Sequence, residues 1–170
     1  MNGLKAKSIL RKLKKETESR TYTPSGRQIR SLGIVQEGDR PFDANKIKQL
    51  AATLGIKEND IVVLSYMPKL SKAQKDAPGV YSGKGIGWNG TLKTTTLKEF
   101  VAKDFDILLS YYSEDRLPLQ IVSGLSKATF KVGLIEDAQS FQDLVITTAI
   151  DEETLFINEL EKYLQILKIS

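Results

Sequence analysis

Residues 104–134 read DFDILLSYYSEDRLPLQIVSGLSKATFKVGL, a pattern of strand, loop, helix and strand. Ile107, Leu108 and Leu109 open an apolar run that Ser110, Tyr111 and Tyr112 continue. A continuous run of this length behind the acidic Asp106 suits a strand buried on both faces. Ser113, Glu114 and Asp115 break the run, and Pro118 follows. Proline is tolerated in a first helical turn, where its missing N–H has no partner to lose. Ser113 or Asp115 is placed to cap that turn. Leu117, Ile121, Val122 and Leu125 then recur at helical spacing. A second apolar run, 130–134, starts directly after Lys127-Ala128-Thr129. Two buried strands joined by one helix make a parallel, right-handed βαβ unit.

Open parallel sheets bind ligands outside the carboxyl ends of their strands. In this unit that end carries Ser110, Tyr111, Tyr112, Ser113, Glu114, Asp115 and Arg116, which makes them candidate ligand contacts. A plainer reading competes. Ser113 and Asp115 would be caps, Glu114 would complement the helix dipole, and the tyrosines would pack.

Upstream, residues 29–35 alternate and then turn apolar, as a first core strand. Asp43 is an N-cap for a helix carrying Ile47, Leu50, Ala51 and Leu54 and ended by Gly55. Residues 61–66, IVVLSY, give a second buried strand and complete an earlier βαβ unit. Residues 67–77, MPKLSKAQKDA, read as a polar, lysine-rich, mobile loop.

Residues 79–90, GVYSGKGIGWNG, hold five glycines and the only tryptophan. Gly85-Ile86-Gly87-Trp88-Asn89-Gly90 matches G-x-G-x-x-G in letters, but no strong strand precedes it and no helix opens at once. The phosphate-loop pattern fails because Gly85 follows Gly83-Lys84. The segment reads as a turn-rich loop whose Trp88 anchors it onto the sheet, or as a partner surface built on Trp88 and Asn89. Lys84, Gly85, Gly87, Trp88 and Asn89 complete the candidate ligand set. Thr96-Leu97-Lys98-Glu99 is a capping box for a short helix through Phe100 and Val101.

Downstream, residues 135–142 are too few for a full crossover helix. Residues 144–148 form a last strand, at an edge or antiparallel. Asp151 caps a final helix whose apolar face carries Leu155, Phe156, Leu160, Tyr163, Leu164 and Leu167, with Lys162 and Lys168 towards its end. Together these elements predict a three-layer α/β sandwich, Rossmann-like or flavodoxin-like. Its mostly parallel sheet has five to six strands.

Composition narrows the chemistry. At 170 residues and 41% hydrophobic, the chain can bury one ordinary core. It has no cysteine and no histidine, which removes disulfides, thiolate chemistry and the usual zinc ligands. Nucleophilic catalysis with a histidine base is also excluded. Acid–base work would fall to carboxylates, lysine or tyrosine. No metal and no cofactor is implied by a clean motif. No apolar run approaches the roughly 20 residues of a membrane span, and no apolar region follows the basic N-terminus as in a signal peptide. The expectation is a soluble, cytoplasmic protein.

The basic residues concentrate at one end. Residues 1–20 carry Lys5, Lys7, Arg11, Lys12, Lys14 and Lys15, with no acid among the first 15. Ala6, Ile9, Leu10 and Leu13 form a helical stripe, so this is a basic amphipathic helix. Net charge is +4, and without these six residues it is −2. The expected organisation is a helical arm, 1–20, a hinge at 21–26 (TYTPSG), and one α/β domain, 27–170. The arm could pack on the domain or a second subunit, touch nucleic-acid phosphates, or lie on an anionic membrane surface. No aromatic residue is interleaved in it for base stacking.

GIGWNG and the 105–134 block together resemble a small Bacteroidota family defined only as a domain of unknown function. The likeness covers nearly the whole chain and implies no activity and no catalytic residue. The strand–loop–helix–strand block is also similar, over about thirty residues, to the N-terminal half of heptosyltransferase-like glycosyltransferases. That implies fold and not activity.

Two functions are compatible with these readings. One is a non-catalytic binding module, using the basic helix or the Gly/Trp loop to hold RNA, the ribosome or a protein. The other is a small-ligand domain or enzyme at the carboxyl strand ends. There Glu114 or Asp115 would be the acid or base, and Lys84 or Arg116 would hold an anion.

Overall fold

The computed structural model describes residues 3–22, 26–136, 141–167 and 169. Six strands form one parallel sheet: β1 (Leu32–Glu37), β2 (Ile61–Tyr66), β3 (Val80–Tyr81), β4 (Ile107–Tyr111), β5 (Phe130–Gly133) and β6 (Leu144–Val145). Their order is β3-β2-β1-β4-β5-β6, the doubly wound Rossmann order. Leu32 pairs with Ile61 on one side and Ile107 on the other, which centres β1. All six of its residues are buried, as an apolar run between two neighbours requires.

Alternation along the strands divides the core in two. Ile34, Leu109, Tyr111 and Val132 face α2 (Ala44–Thr53) and α5 (Glu153–Ile166), meeting Leu50, Phe156 and Leu160. Val35, Leu64, Leu108 and Tyr112 face α1 (Gly3–Glu18), α3 (Thr95–Ala102) and α4 (Leu117–Leu125), meeting Leu13, Leu97 and Ile121. This is the predicted three-layer α/β sandwich, with all strands parallel.

Several boundaries differ from the sequence reading, each for a local reason. β1 starts at Leu32, not Ile29, because Asp106 Oδ2 accepts the backbone N–H groups of Arg30 (2.8 Å) and Ser31 (3.1 Å) and holds them out of the ladder. The capping box at Thr96 is not used. Thr94 caps α3 by accepting from Leu97 N (3.3 Å), which draws Thr96 into the first turn. Arg116, not Ser113 or Asp115, occupies the cap position of α4, with Pro118 in the first turn as expected. Glu152 rather than Asp151 sits at the cap of α5, where its Oε2 accepts from Ala149 N (3.1 Å). Leu155 and Tyr163 lie outside the buried face of α5, 45% and 36% exposed. The last strand is two residues long, parallel to β5 and at the sheet edge. Hinge residues 23–25, part of the 135–142 connection (137–140) and Lys168 lie outside the described residues.

α1 is docked on the sheet's α4 side. Ile9 and Leu13 are fully buried. α4 presents Gly124 to Leu13, and a Cβ there would overlap the leucine's terminal methyl. Beyond the helix, Arg20 grips Asp143 with both guanidinium nitrogens (2.5 Å each) and also donates to Thr129 O (3.0 Å). That clamp ties the end of α1 to the β5–β6 edge, where Asp143 also accepts from Lys131 N.

Candidate functional site

The first candidate surface is built by α1 and the glycine-rich loop together. Lys5 Nζ donates to Ile86 O (2.6 Å), and Ser8 Oγ donates to Asn89 Oδ1. Lys12 lies over Gly90, whose φ of +68° needs a glycine. Lys5, Ser8 and Lys12 therefore face the loop, while Ile9 and Leu13 face α4. The remaining basic residues, Lys7, Arg11, Lys14 and Lys15, are exposed and fall at i, i+4, i+7 and i+8, one solvent-facing stripe. Lys14 meets Glu18 at 3.7 Å, but both side chains are about two-thirds exposed, and such a pair holds the lysine weakly.

Trp88 does not anchor the loop onto the sheet. It is 56% exposed. The anchors are Ile86 and Leu92, which bridge each other and are buried, and Tyr81, whose hydroxyl donates to Pro118 O (2.8 Å). Trp88 opens a 3-10 turn, Trp88–Gly90, in which Asn89 takes a φ of 55°. Asparagine tolerates this left-handed conformation better than most residues. Because Asn89 is fixed to Ser8, the exposed indole stands beside the basic helix.

The G-x-G-x-x-G letters have a structural use. Gly85, Gly87 and Gly90 are buried, and a Cβ on Gly85 would press on Leu97 of α3. The segment follows the two-residue β3 and opens no α-helix, so it lacks the context of a dinucleotide fingerprint.

At the carboxyl end of β4, three of the predicted contacts are interior. Ser110 Oγ donates to Ser123 Oγ (2.9 Å), Tyr111 OH to Ile150 O (2.6 Å) and Tyr112 OH to Ser123 Oγ (3.4 Å). Tyr111 also stacks on Phe42. Burial, with Glu153 and Asp151 nearby, pushes the Tyr111 phenol well up. Ser113, Glu114 and Arg116 lie at the surface end. Arg116 binds Glu114 at 2.7 Å, and that hydrogen bond raises the guanidinium further. Gln120 Nε2 donates to the backbone oxygen of Asp115 (3.0 Å).

Sequence reasoning missed Glu37. It ends β1 beside β4, where the strand order reverses, and is 1% exposed. Its Oε2 accepts from Ser113 Oγ (3.3 Å), and its Oε1 has no partner among the described residues. The only sequence signal was an acid terminating an apolar strand. Glu37, Asp39, Glu114 and Asp115 outnumber Arg40 and Arg116 around this crevice, a charge balance unfavourable to phosphate.

A cleft opens outside β2 and β3. It measures about 710 Å³ and is lined by Lys69, Lys75, Lys84 and Lys93, with Asp76 as its single acid. Of the predicted ligand residues it gathers Lys84 and Gly85 and excludes residues 110–116. Residues 67–98 hold six lysines and one aspartate, so the basic character extends beyond the N-terminal helix. No helix among the described residues is long and apolar enough to cross a membrane. No group of three or more carboxylates there could hold a metal ion.

Over 87 residues the chain is 34% identical to a glutaminase of Clostridium tetani, a match covering 49% of this chain and 25% of that protein. The chain thus spans about a quarter of that curated relative's length. No solved structure matches. The resemblance of the 105–134 block to heptosyltransferase-like glycosyltransferases is not shown by these matches. A family model described as "Family of unknown function (DUF6913)" matches residues 5–167, from the basic helix to the end of α5. The chain therefore belongs to the DUF6913 family of unknown function, as its Gly/Trp loop and its strand–helix–strand block lead one to expect.

Proposed function

We propose that the protein is a non-catalytic RNA-binding module whose contact surface is the exposed face of α1 together with Trp88. One observation carries this reading. Two contacts between α1 and the loop, Lys5 to Ile86 and Ser8 to Asn89, hold the loop with the chain's only tryptophan, exposed, against a helix whose solvent face carries four exposed cations.

The division of labour follows from the chemistry. Lys7, Arg11, Lys14 and Lys15 neutralise phosphates and release counterions, which gives affinity without sequence preference. The indole offers a flat face on which an unpaired base stacks, worth about 1–3 kcal/mol. Stacking needs a base free of its duplex, so single-stranded RNA, or a looped region of ribosomal RNA, fits better than a helix.

The test is Trp88→Ala with a fluorescently labelled single-stranded RNA read by anisotropy. The ring is exposed, so the fold should survive. The expected result is a loss of affinity of about 5- to 150-fold, with thermal stability unchanged. An affinity that ignores the substitution contradicts stacking on this ring.

A further inference from the structure

We propose that the cleft outside β2 and β3 is a second site, one that binds a small polyphosphorylated ligand through Lys69, Lys75, Lys84 and Lys93. It contains no residue of α1 and stands apart from the RNA surface, although the glycine-rich loop borders both.

Three separate chain segments bring the four ammonium groups to one concavity: the loop after β2, the turn after β3 and the approach to α3. None of them has an ion-pair or hydrogen-bond partner among the described residues, and Asp76 is the only acid in the lining. Four like charges around a concave wall repel one another and focus a positive field into the space between them. An anion of several charges relieves that repulsion, and a phosphate chain supplies the charge in the right form. α3 adds to it, since its first turn, with Thr94 and Thr96, opens into the cleft and carries the positive end of the helix dipole.

The place and size also fit a small molecule. The cleft sits at the carboxyl edge of a parallel sheet, the edge at which such folds bind ligands. Its volume of about 710 Å³ is that of a small-molecule pocket. Leu70, Ala77 and Val80 give part of the wall an apolar surface for the body of the ligand. The usual crevice of this fold, between β1 and β4, carries the buried Glu37 instead. The phosphate-attracting charge is displaced from there to the β2–β3 side.

Calorimetric titration of the full chain with ATP and with inorganic tripolyphosphate tests the proposal. Both probes should bind once per chain. Lys84→Gln with Lys93→Gln, and separately Lys69→Gln with Lys75→Gln, should each weaken binding at least about tenfold. These side chains are exposed, so thermal melting should confirm an intact fold. Lys7→Gln with Arg11→Gln should leave ATP and tripolyphosphate binding unaltered while weakening RNA binding, which separates failure of one site from failure of the other. The proposal is overturned if neither probe binds, if binding ignores the cleft lysines, or if the α1 pair weakens it as much as the cleft pairs do.

Discussion

A chain carrying both Ile9→Ala and Leu13→Ala is expected to lose about 4–8 kcal/mol of stability. Both side chains are fully buried, and Leu13 fills the space that Gly124 leaves on α4. Truncating one such residue costs about 2–5 kcal/mol, the lost transfer energy plus the cavity. The two lie one turn apart, so their effects overlap and the sum is trimmed. A domain of this kind is stable by about 5–15 kcal/mol, so much of the population should unfold. Urea denaturation followed by circular dichroism reads the loss. A change below about 1 kcal/mol would show that α1 is not part of the packed structure. One practical consequence is that deleting residues 1–20 cannot isolate the role of their charges, because it also strips α4.

Replacing Lys7, Arg11, Lys14 and Lys15 together with glutamine isolates that role. All four are exposed, so stability should move by no more than about 1–2 kcal/mol. RNA affinity should fall far more. Four phosphate contacts to a single strand give a slope of log K against log salt of about −2.8. At 0.1 M salt that amounts to about 600-fold in affinity, all of which the quadruple variant forfeits if the four charges act. The variant's residual binding should be nearly independent of salt. If the variant keeps both its affinity and its salt slope, the phosphates are held elsewhere, and the lysines of residues 67–98 become the alternative.

The β4–α4–β5 unit was legible because its signals agree: two apolar runs, a proline at a helix start, and helical spacing between them. The amphipathic nature of α1 was legible too, since Ile9 and Leu13 lie on one stripe. Where that stripe docks was not, because it depends on a glycine more than a hundred residues away. β3 is two residues long and sits among glycines, so it leaves no periodic trace. One of the two readings of Trp88, the anchor on the sheet, failed on an ordinary expectation, that a large ring in a loop packs inward. Here the smaller Ile86 and Leu92 do that, and the indole stays out. The cap of α4 shifted because a side chain that could cap has a tertiary partner. Ser113 is drawn to Glu37 across the sheet. The lysine-lined cleft was invisible because its four residues are spread over three segments, one of them read as a mobile loop.

Trp88 is the only tryptophan, so its emission reports on the proposed surface with no other indole to obscure it. The most direct measurement is a titration of the unlabelled protein with single-stranded oligouridylate at low and at moderate salt, following that emission. RNA binding through α1 and Trp88 predicts quenching that saturates, with affinity falling about 50-fold between 50 and 200 mM salt. Emission that stays constant while RNA binds by an independent readout, or quenching that ignores salt, would contradict it.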